Sequence, residues 1–343
     1  MRAGGRYNPR MTRASSFTSG SFRVAILGGG VIGLSIAYEL AVCRGVAVTV
    51  FDPRPPGRGA SWAAAGMLAP AFEAAAETGT HPQLFDLCMQ SAALWPDFAA
   101  GLEARAGTPV GFDAAPSLAA ALDDAEAARL AQIAGVLAAR GVAYEALGPA
   151  ALRAREPALG EAVLGGLELP TDLRVHMRTL ISVLMNILRA CGKVAFVAGP
   201  APLKSVGGRV RLEGHDAIIA AAGWETAVIK VEEHGSLYSL VNWDTALDEI
   251  DCHGGQMLAV AAGPGTPRRV VRAGHVYLVP RGDQVVIGAT VEPGRVLEAA
   301  EPEVVAKLKA EAARLCPGLA GAETVESWAG VRPGRRPSGR YRS

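Results

Sequence analysis

The chain has 343 residues, half of them apolar, and carries 34 Lys plus Arg against 33 Asp plus Glu for a net charge of +1. That length suits about two domains of ~150 residues, each with a buried core. The balanced charge gives no electrostatic ground for a nucleic-acid partner or an anionic membrane, and no run reaches the ~18 uninterrupted apolar residues of a membrane span, so the expected ligand is small.

Residues 1–21 contain four arginines, no acid and many Ser, Gly and Thr, a composition that cannot build a core and reads as a disordered extension. "RVAIL", starting at Arg23, then reads as a buried strand, "VIGLSIAYELAV" as a helix and "VAVTVFD" as a second strand, so the chain opens on a βαβ unit. "PRPPGRGAS" breaks the regularity. Helical patterns follow from about Gln83 to Ala106, interrupted by Pro96, from about Asp123 to Arg140, and over 173–191. "KVAFV", "RVRLE" and "DAIIAAAG" read as strands. Residues 225–253 show neither alternation nor a helical stripe.

From Gln256 onward, alternating strands "QMLAVAA", "RRVVR", "HVYLVPR" and "QVVIGATV" precede a helix at about 302–315 and "AETVESWAGVRP". The last twelve residues hold five arginines and no acid, the pattern of a solvated tail. Cys43, Cys88, Cys191, Cys252 and Cys316 are odd in number and widely spaced. They read as reduced thiols in a cytoplasmic protein, and with His234 and His253 they match no common metal-site spacing.

The expected fold class is α/β: a Rossmann-like nucleotide-binding domain with a second α+β domain built on a mostly antiparallel sheet. The boundaries drawn are 22–81 with 150–224 for the first, 82–149 with 254–331 for the second, an insertion at 225–253 and a basic tail at 332–343.

Gly28, Gly30 and Gly33 form G-x-G-x-x-G between a strand and a helix. The first permits the tight turn, the second the approach of a pyrophosphate, the third close packing of helix on strand. Asp52 ends the second strand, placed to accept from ribose hydroxyls. The absence of G-K-[ST] excludes a P-loop. The motif does not separate FAD from NAD or NADP, and Arg54 and Arg58 would suit a 2′-phosphate.

Beyond it, "GASWAAAGMLAP" (Gly59 to Pro70) resembles the segment after the second strand in flavoenzymes of the D-amino-acid oxidase superfamily, nearest the FAD-dependent glycine oxidases of thiamine biosynthesis. Small residues there allow backbone to lie against a flat ring system. "AIIAAAGW" (217–224), "GHVYLVPRGDQVVIGAT" (274–290) and "SWAGVRPG" (327–334) resemble later segments of the same family. The resemblance spans about 23–334, with a gap at 225–253.

The resemblance implies FAD as cofactor. It implies that the main chain at Val31 and Ile32 meets the pyrophosphate, Asp52 and Pro53 the adenosine ribose, and Ala60 and Ser61 the phosphate loop. Ala65, Gly66 and Met67 would lie at the isoalloxazine. Arg332 would pair with a substrate carboxylate, with Tyr277 beside it. The implied reaction is oxidative deamination of glycine or a similar small amino acid with O₂, giving a 2-oxo acid, ammonia and hydrogen peroxide, in a protein expected to be a homo-oligomer.

On pattern alone Arg332 could be a surface arginine and Tyr277 a packing residue; His275, two before Tyr277, would share its face. The family continues past "WAGVRPG" with a strand, a Gly-rich turn and a helix, so the chain reads as truncated. An inactive remnant and an NADP-dependent reductase are the alternative readings.

Overall fold

The structure is a computed structural model that describes residues 22–77 and 82–336. Four short apolar segments form a wholly parallel sheet in the order Ala217–Ala220, Arg23–Leu27, Ala47–Asp52, Val194–Ala198. Parallel strands must be connected by crossovers, and helices cover the sheet accordingly. The helix Val31–Ala37, which runs on as a π-helical turn over Tyr38–Cys43, packs with Met177–Ala190. Leu34, Leu180, Leu184 and Leu188 have no exposed surface and join Ile26 and Val50 in one core.

A second, nine-stranded sheet is antiparallel except where Val271–Ala273 meets Ser117–Ala121. Its longest pairing joins Ile250–Ala261 to Thr324–Arg335, with a register shift at Ala259/Val260. Alternation divides its side chains between two faces. Leu258, Val260, Leu278 and Ile287 meet the helix Pro302–Leu315 on one side, while Met257, Tyr277, Val279 and Trp328 face the nucleotide-binding unit on the other. The expected fold class holds: an α/β unit beside an α+β unit on a mostly antiparallel sheet.

Several segments differ from their sequence reading. The helix Pro82–Ala106 runs through Pro96 without ending. Residues 173–175 form a strand, and the helix begins only at Met177. Gly165–Leu169 pairs with Ser117–Ala121 in the large sheet rather than lying with the nucleotide-binding strands.

Residues 225–253 are built from short pieces. Lys230–Glu233 and Ser236–Ser239 form a hairpin turning on His234 (φ 53°) and Gly235 (φ 80°), the left-handed pair that a tight two-residue turn requires. It pairs in parallel with Leu203–Val206, and its Val231, together with Trp243 from the turn that follows, packs against Leu27 and Phe51 of the parallel sheet. The described start of the basic tail is part of the long strand, where Arg335 meets Glu249 at 3.3 Å and Arg336 meets Asp248 at 2.8 Å. The rest of that tail, like the N-terminal extension, lies outside the described residues.

Candidate active site

Backbone geometry accounts for the glycine turn. Gly28 has φ +110°, and a Cβ there would lie 2.4 Å from the Ala221 carbonyl oxygen. At Gly33 a Cβ would fall 2.0 Å from the Gly28 oxygen, so the helix could not sit so close to its strand. Gly30 is the N-cap with no side-chain cap, and the first turn holds no acid, leaving amide N–H groups and the positive end of the helix dipole at the turn. Ser61 comes to the same place: its Oγ accepts from the Val31 N–H at 2.9 Å. Ile32 beside it is 65 % exposed.

Asp52 is buried, with one carboxylate oxygen accepting from the Gly29 N–H (2.8 Å) and the other from the Arg54 N–H (2.9 Å). Pro53 follows, exposed. An open helix terminus, a glycine cradle and a fixed acid at the end of the second strand are what a dinucleotide's pyrophosphate and ribose require, so these residues fit FAD. The cations considered for a 2′-phosphate are engaged elsewhere. Arg54 pairs with Glu225, and the Arg58 guanidinium lies 5.3 Å from the Trp62 ring centre.

The small-residue segment joins the two units. Ala60–Ala63 forms one helical turn, and the Ala63 carbonyl accepts from the Trp328 indole N–H at 2.9 Å. A Cβ at Gly330 would lie 2.5 Å from that of Ala63. Gly66 (φ +97°) faces the Val175 oxygen, 1.9 Å from where a Cβ would be. Smallness at 63 and 66 is thus required by neighbouring protein, a constraint that a flat-ring explanation alone does not contain. Ala65 and Met67 pack in the same cluster as Tyr277, Met257 and Trp328.

Cross-strand register assembles the opposing wall. Arg272 stands opposite Tyr277, Tyr277 opposite Gly288, Met257 opposite Trp328, Gly255 opposite Gly330 and His253 opposite Arg332. The Tyr277 ring lies flat on Gly288, where a Cβ would come within 2.5 Å of its Cζ, and its hydroxyl donates to the Met257 sulfur at 3.2 Å. A Cβ on Gly255 would lie 3.8 Å from Nη1 of Arg332. Three glycines on adjacent strands therefore make room for neighbouring groups: the Tyr277 ring covers Gly288, Ala63 covers Gly330, and the Arg332 guanidinium lies near Gly255. Burial pushes the Tyr277 phenol up to about 12, with the charges of Arg332 and Arg272 pulling the other way, so it stays a proton donor.

His275 does not share that face. It precedes the strand, is 64 % exposed at its side chain and meets Glu311 of the covering helix at 2.8 Å. Tyr277 packs in the apolar cluster on the face turned to the nucleotide-binding unit, and Arg332 is exposed.

Sequence reasoning missed an arginine–tryptophan cluster that ties the units together. The Arg178 guanidinium lies 3.6 Å from the Trp62 ring centre and 4.9 Å from that of Trp328. Arg178 and Arg281 both donate to Glu326, at 2.8 and 2.6 Å. Burial alone would raise the Glu326 carboxyl, but these two hydrogen bonds outweigh it and hold it below the usual range. The same cluster bears on His176, which burial and then the Arg281 charge push down.

Comparisons with known proteins bear on the family and the fold. The family described as FAD dependent oxidoreductase matches residues 23–342. A glycine oxidase of Geobacillus kaustophilus is 30% identical over 325 residues, covering 91% of this chain and 81% of that protein. The crystal structure of glycine oxidase from Geobacillus kaustophilus superposes with a TM-score of 0.79 at 28% identity, covering 92% of this chain and 84% of that one. A bifunctional protein ThiO/ThiG of Trichormus variabilis is 32% identical over 317 residues, 90% of this chain but 46% of that protein, so the chain spans about half the length of such curated relatives. No helix among the described residues is long and apolar enough to cross a membrane.

Proposed function

This chain belongs to the FAD-dependent oxidoreductase family, and from that premise we propose that it oxidatively deaminates glycine or a similar small amino acid, in thiamine thiazole formation in the cytoplasm. The observation that carries this reading is the placement of Tyr277 and Arg332 on one face of the large sheet, close enough for the Arg332 charge to act on the Tyr277 phenol, with Tyr277 packed in the cluster of Ala65 and Met67.

FAD, when bound, supplies the two-electron acceptor and passes the electrons on to O₂, giving hydrogen peroxide. The protein's share is to bind and orient a small zwitterion. Arg332 presents an exposed planar guanidinium, able to take a carboxylate through two parallel hydrogen bonds, a geometry Lys cannot copy. Tyr277, held protonated, would turn its single O–H from the Met257 sulfur to the substrate carboxylate. The Tyr277 ring over Gly288 and Ala63 over Gly330 fill the space beside the anchor and favour a substrate with little or no side chain, next to the apolar surface of Met257 and Trp328. Val31, Ile32, Asp52, Pro53, Ala60 and Ser61 serve the nucleotide end, as the fit of the glycine turn supports.

Incubating the purified holoprotein with glycine and O₂ tests the reading. Glyoxylate, ammonia and hydrogen peroxide are expected in equal amounts. A flavin that glycine does not reduce under anaerobic conditions would rule it out.

A further inference from the structure

The parallel sheet places Arg23–Leu27 between Ala217–Ala220 and Ala47–Asp52. Adjacent strands lie about 4.8 Å apart, so the two flanking strands are about 10 Å from each other, and the turn Gly28–Gly30 lies between their carboxyl ends. The crevice outside such strand ends is where open α/β sheets bind dinucleotides. An ion pair crosses it: Arg54, just past the end of Ala47–Asp52, meets Glu225, just past the end of Ala217–Ala220. A contact between the outer two of three neighbouring strands has to pass over the end of the middle one.

Both ends of the pair are fixed. The loop carrying Arg54 is tied to the glycine turn by the Gly57 N–H, which donates to the Gly29 carbonyl at 2.7 Å, and the Arg54 N–H donates to Asp52 at 2.9 Å. Glu225 belongs to the 3-10 turn Gly223–Val228, whose Thr226 and Ala227 are buried and which packs against the two long strands Ile250–Ala261 and Thr324–Arg335. A Cβ on Gly59 would lie 3.7 Å from Nη2 of Arg54, so the start of the segment that brings Ser61 to Val31 reaches the same place. Asp52 is buried, whereas the side chains of Arg54 and Glu225 are 44 % and 29 % exposed, so the pair forms the outer layer. An ion pair this open adds little to fold stability. Its position gives it another use.

We propose that Arg54 and Glu225 are a positioning pair of the dinucleotide site, a clasp across its mouth that slows the departure of bound FAD. The inference rests on FAD as the cofactor and not on the oxidase reading. A direct role for Arg54 as countercharge to the pyrophosphate would make Glu225 its competitor, so the two roles have opposite consequences at position 225.

The rate at which diluted holoprotein loses FAD, read from flavin absorbance passing an ultrafilter, tests the clasp without any turnover. Arg54→Gln and Glu225→Gln should each speed release by about two- to fivefold, the fold-change that a partly exposed ion pair supports. The double variant should be no faster than either single one, since the same contact is lost in all three. Added salt should speed release from the parent more than from the double variant. Melting temperatures of the apoproteins should agree within about 4 °C, which separates a clasp from a purely structural pair.

Slower release from Glu225→Gln would make Arg54 a phosphate countercharge and overturn the proposal. Release rates unchanged in both single variants, or effects that multiply in the double one, would overturn it as well, as would a chain that takes up no FAD. A bound flavin that glycine fails to reduce sinks the oxidase reading alone, and the release rates still decide the clasp.

Discussion

Replacing Gly288 by Ala places a methyl group within 2.5 Å of Cζ and Oη and 2.6 Å of Cε2 of Tyr277. Ordinary carbon contacts are about 3.5–4.0 Å, so the ring must move by roughly 1 Å. It cannot do so freely, because its hydroxyl is tied to the Met257 sulfur and the ring packs in the cluster of Ala65, Met67 and Trp328. Overpacking of this kind costs about 1–3 kcal/mol, which lowers the melting temperature by roughly 2–12 °C at ~2–4 °C per kcal/mol. A misplacement of ~1 Å at a substrate-positioning group costs on the order of 100-fold in rate.

The assay is peroxide release from glycine, with kcat and KM separated, beside thermal denaturation. The double variant Gly288→Ala with Tyr277→Ala should be less destabilised than the sum of the two single variants by about 0.5–3 kcal/mol, since the methyl then occupies space the ring has left. A Gly288→Ala protein with unchanged melting temperature and unchanged kinetics would refute the placement of Tyr277 across that glycine.

Other perturbations follow the same geometry. Arg332→Gln should raise the KM for glycine by at least about tenfold, since a charge-assisted hydrogen bond contributes roughly 1.5–3 kcal/mol; steady-state kinetics across glycine concentrations measures it. Trp328→Phe removes the donor to the Ala63 carbonyl and should lower stability by about 1–3 kcal/mol in denaturant titration. Burial pushes the Asp172 carboxyl up to about 7, only partly opposed by the N–H groups of Ala71 and Phe72. The folded state therefore holds a proton that the unfolded chain releases near pH 4, and stability falls as pH rises from about 4 to about 7, levelling above that. At ~1.4 kcal/mol per unit the loss from this group approaches roughly 4 kcal/mol. Asp172→Asn should flatten the profile relative to the parent across that window, as read from denaturant midpoints at each pH.

Where backbone geometry dictates residue type, the sequence is transparent. Gly28 and Gly33 are demanded by contacts of 2.4 and 2.0 Å, and the apolar runs around them can only be buried parallel strands. Tyr277 was legible as one member of an alternating strand, but its neighbours on adjacent strands were not, because register is a tertiary property. Arg272 sits in "RRVVR", which reads as an ordinary basic strand until its pairing with Tyr277 is known.

The pieces of 225–253 are strands of four residues and short 3-10 turns, below the length at which periodicity shows. Gly165–Leu169 carries two glycines, and Gly166 is there because a Cβ would lie 2.1 Å from the Ala119 oxygen. Its weak strand signal comes from that close approach. The Arg178–Trp62–Trp328 cluster joins residues more than a hundred positions apart, with no local pattern to announce it.

The most direct measurement is a crystal structure of the holoprotein with acetate, a non-oxidisable stand-in for the substrate carboxylate. The account predicts the carboxylate on the Arg332 guanidinium within hydrogen-bonding reach of Tyr277 Oη. A carboxylate bound away from both side chains would contradict it.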